Sequence, residues 1–240
     1  MTDTSNGYLS SSSDDRNPST LILKCIREER IDVLRSILAQ LATKPDYHEI
    51  VDCICCPEGS LLHFAVVQGS VDSVRTLLSS GVNPCVQNDA NRTAYQTAET
   101  DEIRNAFVQE LLQATAQSSL GRVCQMLSSG VPLNSVDAAK TQNSVLHWAV
   151  SFGSDDIVRT LCESGAAVNM ANAKGETPLH DAVRRGEDAI VRTLLMHGAD
   201  ASRKDNNGVD CYELATNLGG AMLPTLSMNT SKLLQLFRLS

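Results

Sequence analysis

Aromatic side chains are scarce in this sequence. They make up 4% of its 240 residues, with a single tryptophan, Trp148. A compact single core of this size leans on Phe, Tyr and Trp for much of its burial, so their scarcity points to thin layers filled by Leu, Val and Ala. Those layers have material enough, because 42% of the residues are hydrophobic, which excludes a chain that stays disordered. Long apolar runs are also missing. None approaches the ~20 residues that a membrane-spanning helix requires, so membrane insertion is not expected. The first twenty residues, MTDTSNGYLSSSSDDRNPST, lack the apolar segment of a secretory leader. This reading places the chain in the cytoplasm, with the nucleus as the alternative. A basic excess is absent as well: the formal net charge is −8, which argues against direct contact with nucleic acid or anionic membranes. Catalytic signatures are missing too, with no GxxxxGK phosphate loop, GxSxG elbow, HExxH or paired CxxC set. Neither an enzyme nor a cofactor is expected.

Cysteine is the residue present in unexpected number, with eight copies. Cys25, Cys124 and Cys162 occupy slots in apolar periodic segments and read as reduced, buried small hydrophobes. The run DCICC sets Cys53, Cys55 and Cys56 close together, with His48 and His63 nearby. It lacks a second pair at zinc-ligand spacing and reads as a loop or helix end, so no metal is assigned.

What the sequence does have is a period. His147 and His180, Gly153 and Gly186, and Gly165 and Gly198 are each 33 residues apart, and Gly175 to Gly208 and Ala182 to Ala215 keep the step. A third good copy, SLLHFAVVQGSVDSVRTLLSSGVNP, puts His63, Gly69 and Gly81 in the matching places. One copy explains itself locally. Thr177 is an N-cap, Pro178 occupies the first helical position where its missing N–H costs nothing, and Gly186 stops a short helix. Ile190, Val191, Leu194 and Leu195 then mark one face of a second helix that ends at Gly198. Two such short helices cannot bury both apolar faces alone, so the copies must stack.

The pattern GETPLH…A…G…IV..LL..GAD closely resembles the ankyrin repeat, strongly at 174–203 and well at 58–84 and 143–170. With partial copies the resemblance covers about residues 20 to 238. It implies an all-α fold, an ankyrin-repeat solenoid of stacked helix-turn-helix units with finger loops and a concave face. It also implies a role in binding other proteins rather than in catalysis. On this resemblance the recurring histidine bonds the capping hydroxyl and a neighbouring loop, which carries over to His180 with Thr177 and to His147 with Ser144.

The partial copies set the expected organisation. Leu21–Ala42 lacks the glycines and reads as an N-terminal cap, with Cys25 in the Ala65 slot. NRTAYQTAE begins a copy whose second half never arrives, and the pattern restarts at Leu111 with Ala114 in the Ala149 slot. An irregular junction near 99–117 follows, bridged by one longer helix over roughly 101–117. At the other end Asp210, Cys211 and Glu213 replace Thr, Pro and His in a capping unit, and TSKLLQLFRLS suits a final helix. The domains expected are a disordered tail over 1–19, N-terminal repeats over 20–106 (a cap, one good repeat, one truncated repeat), and C-terminal repeats with a cap helix over 107–238.

The register also separates packing slots from exposed ones. Leu179, Ala182 and Val183 pack between units, whereas Asp181, Arg184 and Arg185 lie on the opposite face of the first helix. The same slots hold Trp148, Ser151 and Phe152 in the 143–170 copy and Phe64, Val67 and Gln68 in the 58–84 copy. By resemblance that face is the concave groove. Phe64, Gln68, Trp148, Ser151, Phe152, Asp181, Arg184 and Arg185 are therefore the partner-binding candidates. The partner expected is another protein, offering an apolar, acidic peptide or helix whose carboxylates pair with Arg184 and Arg185. The function expected is a non-catalytic interaction scaffold. Two other readings stand beside it: an autoregulatory or targeting module of a larger enzyme or small-GTPase regulator, and a transcription cofactor.

Overall fold

The computed structural model describes residues 18–137 and 140–227, apart from the Cys55 side chain. The described residues form two compact units that divide between Ile103 and Arg104. The regular secondary structure of the described residues is helical, apart from one small hairpin and two isolated bridges, and turns and loops join the helices.

In the first unit α1 (Pro18–Arg27) and α2 (Ile31–Leu41) form the N-terminal cap, with Ile22, Cys25, Ile26, Leu34 and Leu38 buried at their contact. Helix α1 opens at Pro18, so the last two residues of the expected tail are helical; the remainder of that tail lies outside the described residues. Helix α3 (Tyr47–Asp52) has no counterpart in the repeat, and its Tyr47 hydroxyl donates to the Ser80 carbonyl at 2.8 Å. Strands β1 (Cys55–Cys56) and β2 (Gly59–Ser60) pair antiparallel and lead into α4 (Leu61–Val67) and α5 (Val71–Ser79). The DCICC run is thus a helix end, with Cys53 as C-cap of α3, followed by a strand. First helices α1 and α4 pack side by side, as do second helices α2 and α5. Helix α6 (Ala94–Thr97) packs on α4 and has no second helix of its own.

The chain enters α7 (Asp101–Ala116) instead, one helix of 16 residues across the expected junction, with no finger loop between Ala98 and Leu111. In the second unit α8 (Leu120–Ser128), α10 (Asp155–Glu163), α12 (Asp188–Met196) and α14 (Leu223–Leu226) form the row of second helices. The row of first helices is α9 (Val145–Ser151), α11 (Pro178–Arg185) and α13 (Cys211–Asn217). Helix α14 was not expected: it fills the second-helix place of the last unit, packed on α12 and α13. The expected final helix TSKLLQLFRLS lies outside the described residues.

Apolar periodicity explains the packing. Leu179, Ala182 and Val183 of α11 are buried, as are Ile190, Val191 and Leu194 of α12. Burying each of the Leu, Val and Ile side chains is worth about 1.5–3 kcal/mol, which is what holds short, individually unstable helices together. Finger loops are joined by a ladder of backbone bonds, with Ala173 N–H donating to Thr141 O and Asn206 N–H to Lys174 O, both at 2.9 Å. Gly175 sits in that ladder at φ +77°, where a Cβ would meet the Asn206 backbone nitrogen at 2.8 Å, so no other residue fits.

One cysteine expectation fails. Cys25 and Cys162 are buried, but Cys124 is exposed. It follows buried Val123 by one residue and so turns about 100° away from the core stripe that Val123 and Met126 define.

Candidate functional site

The recurring histidines serve the scaffold. His147 Nδ1 accepts the Ser144 backbone N–H at 3.2 Å and faces the Ser144 hydroxyl at 2.8 Å, while its Nε2 meets the Glu176 carbonyl at 3.0 Å. An N–H donor on Nδ1 requires the neutral tautomer with its proton on Nε2. His63 repeats this with Ser60 and the Arg92 carbonyl, and His180 with Thr177 and the Val209 carbonyl. Each histidine therefore closes a capping box in its own copy and ties it to the next loop. Burial pushes the His147 pKa below its ordinary value, against the pull of its bond to Glu176 O and of the Asp181, Glu176 and Asp137 carboxylates.

Trp148 and Phe152 stand one turn apart on the same α9 face, with ring centroids 5.7 Å apart and planes 21° from parallel. Phe152 is 50% exposed, and Trp148 and Ser151 are half-buried. The indole N–H donates to Asp137 Oδ2 at 3.1 Å. Asp137 is buried in the preceding finger loop, where it also accepts from the Thr141 hydroxyl at 2.9 Å and the Asn143 N–H at 3.2 Å. The polar end of the tryptophan is thus fixed by the protein while its ring remains in part on the surface.

On α11, Arg184 is engaged twice: one guanidinium nitrogen holds Glu176 Oε1, the other Asp181 Oδ1 at 2.8 Å. Both carboxylates are largely covered, at 10% and 15% side-chain exposure. Burial raises the Asp181 pKa, opposed by His147 and Arg184. Arg185 approaches Glu187 at 3.8 Å, both well exposed. The expectation that Arg184 offers a free charge to a partner's carboxylate therefore meets an arginine already bridging two carboxylates of its own chain. Its partner Glu176 was not among the residues expected on this face, and neither was Asp137.

The corresponding slots of the first unit differ. Phe64 was expected on the surface but is 4% exposed: α1 of the cap packs on α4, and its Arg27 guanidinium lies 5.8 Å from the Phe64 ring centroid. Gln68 and Val67 are exposed, Val67 at 59%, beside a cleft of about 340 Å³ whose lining includes Glu58, His63, Asp89, Arg92 and Glu99. Among the described residues no three His, Cys, Asp or Glu side chains converge as metal ligands would. No described helix is long and apolar enough to cross a membrane.

Paired short helices, capping-box histidines and laddered finger loops define a helical repeat protein. Family models agree: three copies of the ankyrin repeat match residues 111–205, and a single ankyrin repeat matches residues 60–89. The chain belongs to the ankyrin-repeat family. It is similar to palmitoyltransferase ZDHHC13 of Homo sapiens, 29% identical over 136 residues, which is 49% of this chain and 22% of that one. The Mus musculus protein of the same name is 53% identical over 38 residues, 16% of this chain and 6% of its own. Neurogenic locus notch homolog protein 1 of Xenopus tropicalis is 27% identical over 137 residues, covering 49% of this chain and 5% of its own. Each match therefore spans a minor part of the relative's length. Ankyrin repeats generally mediate protein–protein interaction and are generally non-catalytic.

Proposed function

We propose that this chain is a non-catalytic interaction module that receives a segment of another protein on the first-helix face of its second unit, centred on Trp148 and Phe152. One observation carries the reading: the two rings are stacked, and Phe152 remains 50% exposed, in slots that the repeat itself does not use for packing. Ser144, Leu146, His147 and Ala149 are accounted for by capping and the core; the aromatic pair is not. Large rigid aromatic side chains concentrate binding energy at interfaces, typically ~2 kcal/mol or more for a hot-spot residue. Ser151, Asp181, Arg184 and Arg185 belong to this face in the proposal. Gln68 belongs to a separate face in the first unit, and Phe64 would join it only after Arg27 swings aside.

A second reading is favoured by the relatives. Since the matched part is 22% of a palmitoyltransferase, the module could equally serve a larger protein whose catalytic activity resides elsewhere, selecting what that activity reaches. In this proposal both readings use the same face. Partner capture from cell extract by wild type and by the Phe152→Ala and Trp148→Ala/Phe152→Ala variants tests it. Phe152→Ala removes a half-exposed ring and is expected to spare the helical CD signal and the melting temperature while weakening capture severalfold. Undiminished capture by both variants would show that another surface binds.

A further inference from the structure

We propose that the segment received by Trp148 and Phe152 is basic, with a lysine or arginine side chain laid over the two rings, an inference that rests on the docking face proposed above. The fixed charges argue for it. Four carboxylates gather at this face, Asp137, Glu176, Asp181 and Glu187, against two guanidiniums, Arg184 and Arg185. Lys140 of the same finger loop is exposed and adds a third cation against the four carboxylates, and the His147 ring is neutral by its hydrogen bonds. The balance is negative.

The two guanidiniums are unequal. Arg184 sits between two mostly covered carboxylates, and drawing it toward a partner's carboxylate would leave both without their cation, a costly exchange. Arg185 and Glu187 are 3.8 Å apart and more than 40% exposed, a pair of small worth that a competing cation readily replaces. Glu187 lies beside the residue after Phe152: a Cβ on Gly153 would meet its Oε1 at 3.6 Å and the Arg185 guanidinium at 3.9 Å. A cation that displaced Arg185 from this loose pair would find Glu187 as its carboxylate.

The rings suit the same occupant. Aromatic faces attract cations, tryptophan most of all, and the Asp137 carboxylate that accepts the indole N–H adds negative potential at the ring edge. An anionic segment would meet that potential unfavourably. The net charge of −8 steers basic partners toward the chain from a distance.

The test uses the full chain and its only tryptophan as reporter. Two short peptides share two leucines and differ in carrying four lysines or four glutamates, and each is titrated while Trp148 fluorescence is followed. The expected result is at least tenfold tighter binding of the lysine peptide, a gap that narrows with salt, and severalfold weaker binding of that peptide by Glu187→Lys and by Phe152→Ala. Equal binding, preference for the glutamate peptide, or no binding of either overturns the basic assignment. So does lysine-peptide binding indifferent to both substitutions, which would be general attraction to an acidic chain. Equal binding that Phe152→Ala abolishes would overturn the charge assignment while retaining the docking face. Failure of the face itself is read separately, from extract partners that survive Phe152→Ala.

Discussion

His147 is 0% exposed and is held neutral by an N–H donor on one ring nitrogen and a carbonyl facing the other. Its lowered pKa has a consequence for stability. Below about pH 6.5, the ordinary histidine value, the unfolded chain binds a proton that the folded ring resists. Stability that is full above that pH is therefore lost as acid is added. Asp181 works in the opposite sense. Its raised pKa makes the folded carboxyl take up a proton before the unfolded one, so it gives stability back as pH falls toward the ordinary carboxylate range. Just below 6.5 the histidine sets the slope. Glutamine separates the roles, because in the third copy Gln96 Oε1 already accepts the Thr93 N–H at 3.0 Å in the same capping geometry. His147→Gln is expected to keep the cap and lose the link to Glu176 O. Its urea midpoint should be lower at pH 7 and should fall less than that of wild type between pH 7 and 5.5. Parallel midpoint curves would remove His147 as the source. Glycines, capping residues and histidines were readable from the sequence because their demands are local: a positive φ, an N–H to accept, a fixed spacing. Asp137 under the indole, Arg27 over Phe64 and the double engagement of Arg184 were not, since each joins segments whose approach is set by the packed stack.

At the scale of elements, the helix pairs repeat a period that hydrophobic spacing announces, and even the long junction helix was legible from the arithmetic of the copies. The elements that escaped, α3, the β1–β2 hairpin and α14, are short and outside the period, with too few residues to establish one. Helix α7 is the element on which the irregular register depends. Ile103, Ala106, Phe107, Leu111 and Ala114 lie buried along it, and Gln109 is exposed midway. Proline at Gln109 would remove a bond of the helical ladder and clash with the preceding turn, at about 3 kcal/mol or more. Gln109→Ala keeps the ladder and should be neutral to slightly stabilising. The expected outcome is a clear loss of melting temperature and helical CD for Gln109→Pro alone. A tolerated proline would mean that the two halves of α7 do not need to be continuous.

For the whole molecule, the sharpest question is how far a local loss of stability travels. In a repeat array each layer contacts only its neighbours, so stability is a sum of local contributions rather than one global quantity. Among the described residues α7 is the one helix with residues on both sides of the division between Ile103 and Arg104. Trp148 lies in the second unit and is the chain's only tryptophan, so its fluorescence reports that unit, whereas helical CD reports both. Leu77 of the first unit is fully buried in α5, and Leu77→Ala should cost about 2–5 kcal/mol. If neighbouring layers alone communicate, urea unfolding of this variant by CD should broaden or split, with its early part moved to lower denaturant. The Trp148 transition should move by less than half as much. Coincident transitions, both moved by the full amount, would instead describe a single cooperative array, and a change anywhere in the first unit would then weaken the Trp148 and Phe152 face without touching it.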